Sequence, residues 1–196
     1  MGIIEFFDHN ITIWLDSNKT NFPLINLFVK YFVGDYLTPV ILSLMLYSSW
    51  FNLTYQNDRI NQQIIVIASI IGVAVGNLIT LILNLYIFRP RPFEDLELHL
   101  LFYQPTDSSF PANPTVVGFA LALGLLKWNK IAGFMGMFLA FAWGFSRVYA
   151  GVSYTSDVVA GAIIGILATS FSIVCASKFD YYPKKIIKLA RRIYLA

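Results

Sequence analysis

Three polar groupings stand at the ends of apolar runs: Arg89-Pro90-Arg91-Pro92, Pro111-Ala112-Asn113-Pro114, and Ser146-Arg147 followed by Ser153 and Asp157. Arginine forks and the free N–H groups of a helix start are the usual parts of a site for phosphate or another anion. Arg91, Arg147 and Asn113 are therefore the candidate anion-binding residues. Arg89 reads as a helix-end arginine that snorkels to head groups. Asn113 is placed to cap a helix, and Pro114 suits its first turn, where a missing N–H costs nothing. Asp157 competes for Arg147, and the two are expected to form a structural pair. The two histidines, His9 and His99, read as interfacial and loop residues. Asp107, Ser108 and Ser109 read as a polar loop patch before a helix start. No glycine-rich nucleotide loop, His-Glu-x-x-His motif or acidic cluster is present, so no metal or cofactor is expected. The single cysteine, Cys175, excludes an internal disulfide and a cysteine metal site.

Five apolar runs must position these groups. With 57% hydrophobic and 13% charged residues, the chain is too apolar for a water-exposed domain. The reading is all-α: a polytopic membrane helix bundle with about five spans, near 36–55, 64–88, 113–127, 131–149 and 157–176. Polar residues 56–63 are expected to form a loop, and Lys127 to Lys130 a tight turn. Residues 3–15 carry Ile3, Phe6, Phe7, Ile11, Trp14 and Leu15 at helical spacing, with Glu5, Asp8 and Asp16 elsewhere. They are expected to lie at the interface as an amphipathic helix. One membrane domain, 1–196, divides into an interfacial segment (1–33), a helix bundle (34–177) and a basic tail (178–196). No signal peptide is read. Gly72 to Gly76, Gly133 to Gly136 and Gly161 to Gly165 suggest close helix packing. Basic residues in the tail and at Lys127 and Lys130 put the C-terminus in the cytoplasm and the three polar groupings on the outer face of a plasma or inner membrane.

In order, spacing and topology these groupings resemble the motifs of the type 2 phosphatidic acid phosphatase family. That family's first motif is a lysine, six residues, then Arg-Pro; here Arg91-Pro92 fits and Asn84 stands at the lysine. The second is Pro-Ser-Gly-His; here Pro111 fits, and Ala112 and Pro114 replace the serine and the histidine. The third is Ser-Arg, five residues, His, three residues, Asp; here Ser146, Arg147 and Asp157 fit, and Ser153 stands at the histidine. The resemblance implies that the third-motif histidine attacks phosphorus and the second-motif histidine protonates the leaving oxygen. Neither residue is present, so the chain resembles a degenerate member lacking the catalytic histidines. A serine needs an adjacent base to attack, and losses within a cooperating catalytic unit are severe.

The expected function is accordingly that of a non-catalytic integral membrane protein, a pseudoenzyme binding lipid or serving as a structural subunit of a membrane complex. Two alternatives stand beside it. One is a lipid or polyprenyl phosphate phosphatase with a rearranged active site. The other is a phospholipid or phosphate-ester carrier. Expected partners are membrane lipids and other membrane subunits, not nucleic acid.

Overall fold

The computed structural model describes residues 2–51, 56–100, 104–179 and 181–192, the side chains of 56–58 and 192 excepted. Their regular structure is helical: α1 Ile3–Ser17, a 3-10 turn Lys19–Asn21, α2 Pro23–Phe32, α3 Leu37–Trp50, α4 Gln56–Tyr86, α5 Pro92–Asp95, α6 Asn113–Trp128, α7 Lys130–Tyr149, α8 Thr155–Lys178 and α9 Tyr181–Arg192. The all-α membrane bundle is as the apolar runs require. Among the described residues, three helices are long and apolar enough to cross a membrane by themselves: Arg59–Tyr86, Lys130–Tyr149 and Thr155–Lys178. A fourth crossing arises if α2 and α3, bent by 59° at their junction, count as one broken span. The two remaining runs of the expected five form the shorter helices α3, of 14 residues, and α6, of 16, and residues 52–55 of the first expected span lie outside the described residues. At 1.5 Å per residue α6 is about 24 Å long, against a hydrocarbon thickness of ~30 Å.

The polar stretch from Gln56 is helical rather than a loop. At 31 residues α4 is about 46 Å long, so its hydrophilic first turns can stand beyond the apolar layer. Residues 181–192 likewise form a helix, α9. Its Ile187 packs with Ile64, Ile67, Ala68 and Ala176 at the end of the bundle that carries Lys127 and Lys130.

Short α6 sits innermost, packed against α3, α4, α7 and α8. Val116, Ala120, Ala122 and Leu125 on it are fully buried. The approach to α8 depends on glycine. A Cβ at Gly165 would lie 2.3 Å from the Val116 carbonyl oxygen, and one at Gly161 would lie 2.5 Å from that of Ala112. Backbone cannot yield as a flexible side chain can. Gly165→Ala is therefore expected to destabilise the protein by about 1–3 kcal/mol, the usual cost of overpacking. Thermal unfolding in detergent checks this against Gly34→Ala, where nothing lies within 4 Å of the added carbon.

The interfacial helix α1 is inverted relative to a water-soluble amphipathic helix. Its buried residues are Asp8 and Thr12, while Phe6, Phe7 and Trp14 are exposed. Lipid is the solvent for its apolar face, and the polar face turns towards the protein, where partners exist. Next in sequence, α2 secures the α7–α8 junction. Val29 and Val33 pack with Tyr149, Ala150 and Val152, and Tyr149 Oη donates to Asn26 Oδ1 at 2.7 Å. The junction turns at Gly151, whose φ of +80° is in the region that favours glycine.

Candidate active site

The groups with chemical potential gather around the α7–α8 junction, residues 150–157. Arg89 reaches it from the end of α4. Its Nη1 donates to Ser156 Oγ at 2.8 Å and to Asp157, and its Nη2 donates to Asp8 Oδ2 at 2.8 Å. Asp8 also accepts from the Ser156 backbone N–H at 3.0 Å. Since the N-cap residue of α8, Tyr154, supplies no side-chain cap, a carboxylate from α1 caps α8 from outside the helix. Asp157, fully buried, also accepts from Ser109 Oγ at 2.5 Å. Burial disfavours the charged guanidinium of Arg89, but the Asp8 and Asp157 carboxylates outweigh it and hold the group above its ordinary range.

Arg91 is 6% exposed and turns to the same junction. It donates to the Val152 carbonyl oxygen at 2.6 Å and, through Nε and Nη2, to Asp107 O at 2.9 Å and Asp107 Oδ1 at 2.7 Å. Arg147 contributes its carbonyl to the Val152 N–H at 3.1 Å, and its guanidinium pairs with Asp35. Around this centre, Tyr154 lies under the Arg89 guanidinium, 4.2 Å from carbon to ring centroid. Its hydroxyl donates to Asp95 Oδ2 at 3.2 Å. Burial, then the Asp95 carboxylate, push the Tyr154 phenol above its ordinary range. His9 stacks on the same ring at 5.6 Å between centroids.

Several expectations change here. The Asp157–Arg147 pair is not the one formed. Asp157 is held by Arg89, and Arg147 by Asp35, because Arg89 enters beside the first turn of α8 where Asp157 stands. Arg89 is no snorkelling cation but the link between α1, α4 and α8. Asn113 is the first residue of α6 and exposed; the N-cap residue is Ala112, whose carbonyl accepts from Thr115 Oγ1 at 2.7 Å. Of the positions where the resemblance implied catalytic residues, Ser153 is 2% exposed, Ala112 3%, and Asn84 and Pro114 are half-buried. Sequence reasoning passed over Asp8, Asp35, Asp95 and Tyr154. A signal existed for Asp8, which shares one helical face with Thr12 one turn on.

An apolar groove of about 430 Å³ opens beside this cluster, lined on α1 by Ile11, Trp14 and Leu15, on α7 by Phe141 and Phe145, and along α8 from Thr155 to Ala162. Thr155 Oγ1 is buried there with no partner among the described residues. Separately, Asp16 accepts from Lys19 Nζ at 2.6 Å and from the His99 backbone N–H at 3.1 Å, tying the end of α1 to the loop after α5. Burial raises the Asp16 carboxyl, but the bonds from Lys19 and His99 outweigh it and hold it below its ordinary 3.8. A depressed folded-state value means the tie is present above the ordinary carboxylate range and lost as pH falls through the folded value. Acidification below about pH 3.8 is thus expected to expose the loop containing His99 to proteolysis, and Asp16→Asn to expose it already at neutral pH.

Comparison with known proteins places this geometry. The model of the PAP2 superfamily matches residues 64–181. The chain is 30% identical over 154 residues to the bacitracin transport permease protein BcrC of Bacillus licheniformis, covering 78% of this chain and 73% of that protein. It is 28% identical over 139 residues to the undecaprenyl-diphosphatase BcrC of Bacillus subtilis (strain 168), covering 71% of this chain and 69% of that protein. The crystal structure of Aquifex aeolicus LpxE superposes with a TM-score of 0.67 at 26% identity, covering 88% of this chain and 99% of that one. Kinship with a named diphosphatase overturns the expectation of a non-catalytic lipid-binding or structural subunit. The chain belongs to the PAP2 superfamily.

Proposed function

We propose that the protein is a lipid phosphatase acting on a polyprenyl diphosphate, with an active site rearranged around the α7–α8 junction. The observation that carries the reading is kinship with an undecaprenyl-diphosphatase over most of both chains. Two features of the site support it. Arg89 and Arg91 both donate into the junction, to Ser156 Oγ and to the Val152 carbonyl, and two arginines at one place are the usual means of holding a multiply charged phosphate. The apolar groove begins at Thr155, beside that junction, and runs along α8 to Ala162, about 10 Å at 1.5 Å per residue. Head and tail of one prenyl lipid can be held together in this way.

Pro114 also favours a diphosphate over a monoester. A monoester must expel an alkoxide, whose conjugate acid is comparable to water at about 15.7, so a proton donor at the leaving oxygen is needed. A diphosphate expels a phosphate ester, whose second pKa is about 6, and the bond breaks without a proton. Replacing an acid by Pro114 costs little with the second substrate and much with the first. The degenerate motif positions then describe a narrowed substrate class rather than a lost activity. The basic α9 and the turn at Lys127 and Lys130 lie at the end of the bundle away from the site. We take that end as cytoplasmic and the site as facing outward.

Proteoliposomes carrying the purified chain are expected to release phosphate from undecaprenyl diphosphate, leaving the monophosphate. Release no faster than from protein-free vesicles would overturn the reading.

A further inference from the structure

Phosphoryl transfer at neutral pH calls for an activated nucleophile, and imidazole is the side chain best matched to that pH. Ser153 is 2% exposed and no imidazole stands beside it in the sequence. Of the two histidines, His99 has a side chain 90% exposed and is held on Asp16, away from the junction. His9 lies against the site. Its ring is stacked on Tyr154 at an interplanar angle of 21°, and Tyr154 also carries the Arg89 guanidinium. The preceding residue, Asp8, is fixed on Arg89 and on the Ser156 N–H, so the register of α1 at this point is set by the site itself.

A hydrogen-bonded chain orients the imidazole. The Tyr154 hydroxyl donates to Asp95 and lies 3.3 Å from His9 Nε2. With the phenolic proton directed at Asp95, the oxygen accepts from Nε2–H, which leaves Nδ1 with its lone pair. A partner on one ring nitrogen selecting the tautomer that frees the other is the general way a reactive histidine is prepared.

We propose that His9 of α1 is the nucleophile that accepts the terminal phosphoryl group, an assignment that rests on the phosphatase reading above. Nδ1 forms a bond to the terminal phosphorus as the bond from that phosphorus to the bridging oxygen breaks. The electron pair of the broken bond leaves on the lipid monophosphate, and the ring keeps its Nε2 proton and carries the positive charge. Water then attacks phosphorus and the N–P bond breaks, returning its electron pair to Nδ1. Both protons of the water leave on dihydrogen phosphate. No further reactant is needed.

The test uses the full-length protein in proteoliposomes and a polyprenyl diphosphate radiolabelled in its terminal phosphate. Quenching during turnover should leave acid-labile, alkali-stable label on the peptide containing residues 3–17. His9→Gln should lose that label and at least about 10³-fold in turnover, as removal of a nucleophile does. His99→Gln should retain both. His9→Gly should regain turnover with added imidazole, which a purely structural role for His9 would not allow. Turnover in His9→Gln within tenfold of the parent, or label on Ser153, would overturn the assignment and leave the phosphatase reading standing. No turnover by the parent protein would overturn both.

Discussion

Replacing Arg89 with alanine is expected to destabilise the protein by about 3 kcal/mol, the lower end of the cost of stranding a buried charge. Its side chain is 21% exposed, while those of Asp8 and Asp157 are 3% and 0% exposed. Two carboxylates depend on one cation, so the mutant keeps two buried negative charges next to each other. The lower end is chosen because partial exposure of Arg89 lets water reach part of the cluster. If stranded charge is the cause, adding Asp8→Asn and Asp157→Asn to Arg89→Ala should recover most of the loss. Chemical or thermal unfolding in detergent measures both steps. A change within about 0.5 kcal/mol, as for an ordinary surface residue, would show that Arg89 is a snorkelling cation after all.

The second large effect is chemical. Side by side, a prenyl diphosphate should be hydrolysed about 10²–10⁴ times faster than the monophosphate of the same prenyl alcohol, the range a positioned general acid contributes. The tail and the groove are common to both substrates, so the ratio reports the leaving group alone. Introducing an acid with Pro114→His should narrow the ratio by raising the monophosphate rate. It should leave the diphosphate rate comparatively unaffected, because that leaving group needs no proton.

The apolar runs that became α4, α7 and α8 were legible because a membrane span is a local property, readable from about twenty successive residues. The rearranged centre was not legible for the opposite reason. Asp8 and Arg89 are 81 positions apart, and Ser156 is 148 from Asp8. An acid on a short amphipathic helix reads as solvated unless the solvent around that helix is known to be lipid. Arg147 and Asp157 were expected at one end of the bundle with Arg91. Their partners depended on where Arg89 and Asp35 enter, which helix spacing does not determine. The basic residues after Lys178 suggested a tail, but the spacing that seats Ile187 against Ile64 and Ile67 made a helix of them.

The most direct measurement of the central claim is a phosphate-release time course from the purified, reconstituted protein, with undecaprenyl diphosphate and undecaprenyl monophosphate offered separately at equal concentration. Steady release from the diphosphate, with the monophosphate accumulating as product and itself hydrolysed slowly, is the predicted result. Release from neither substrate above protein-free vesicles, or equal release from both, would contradict the account.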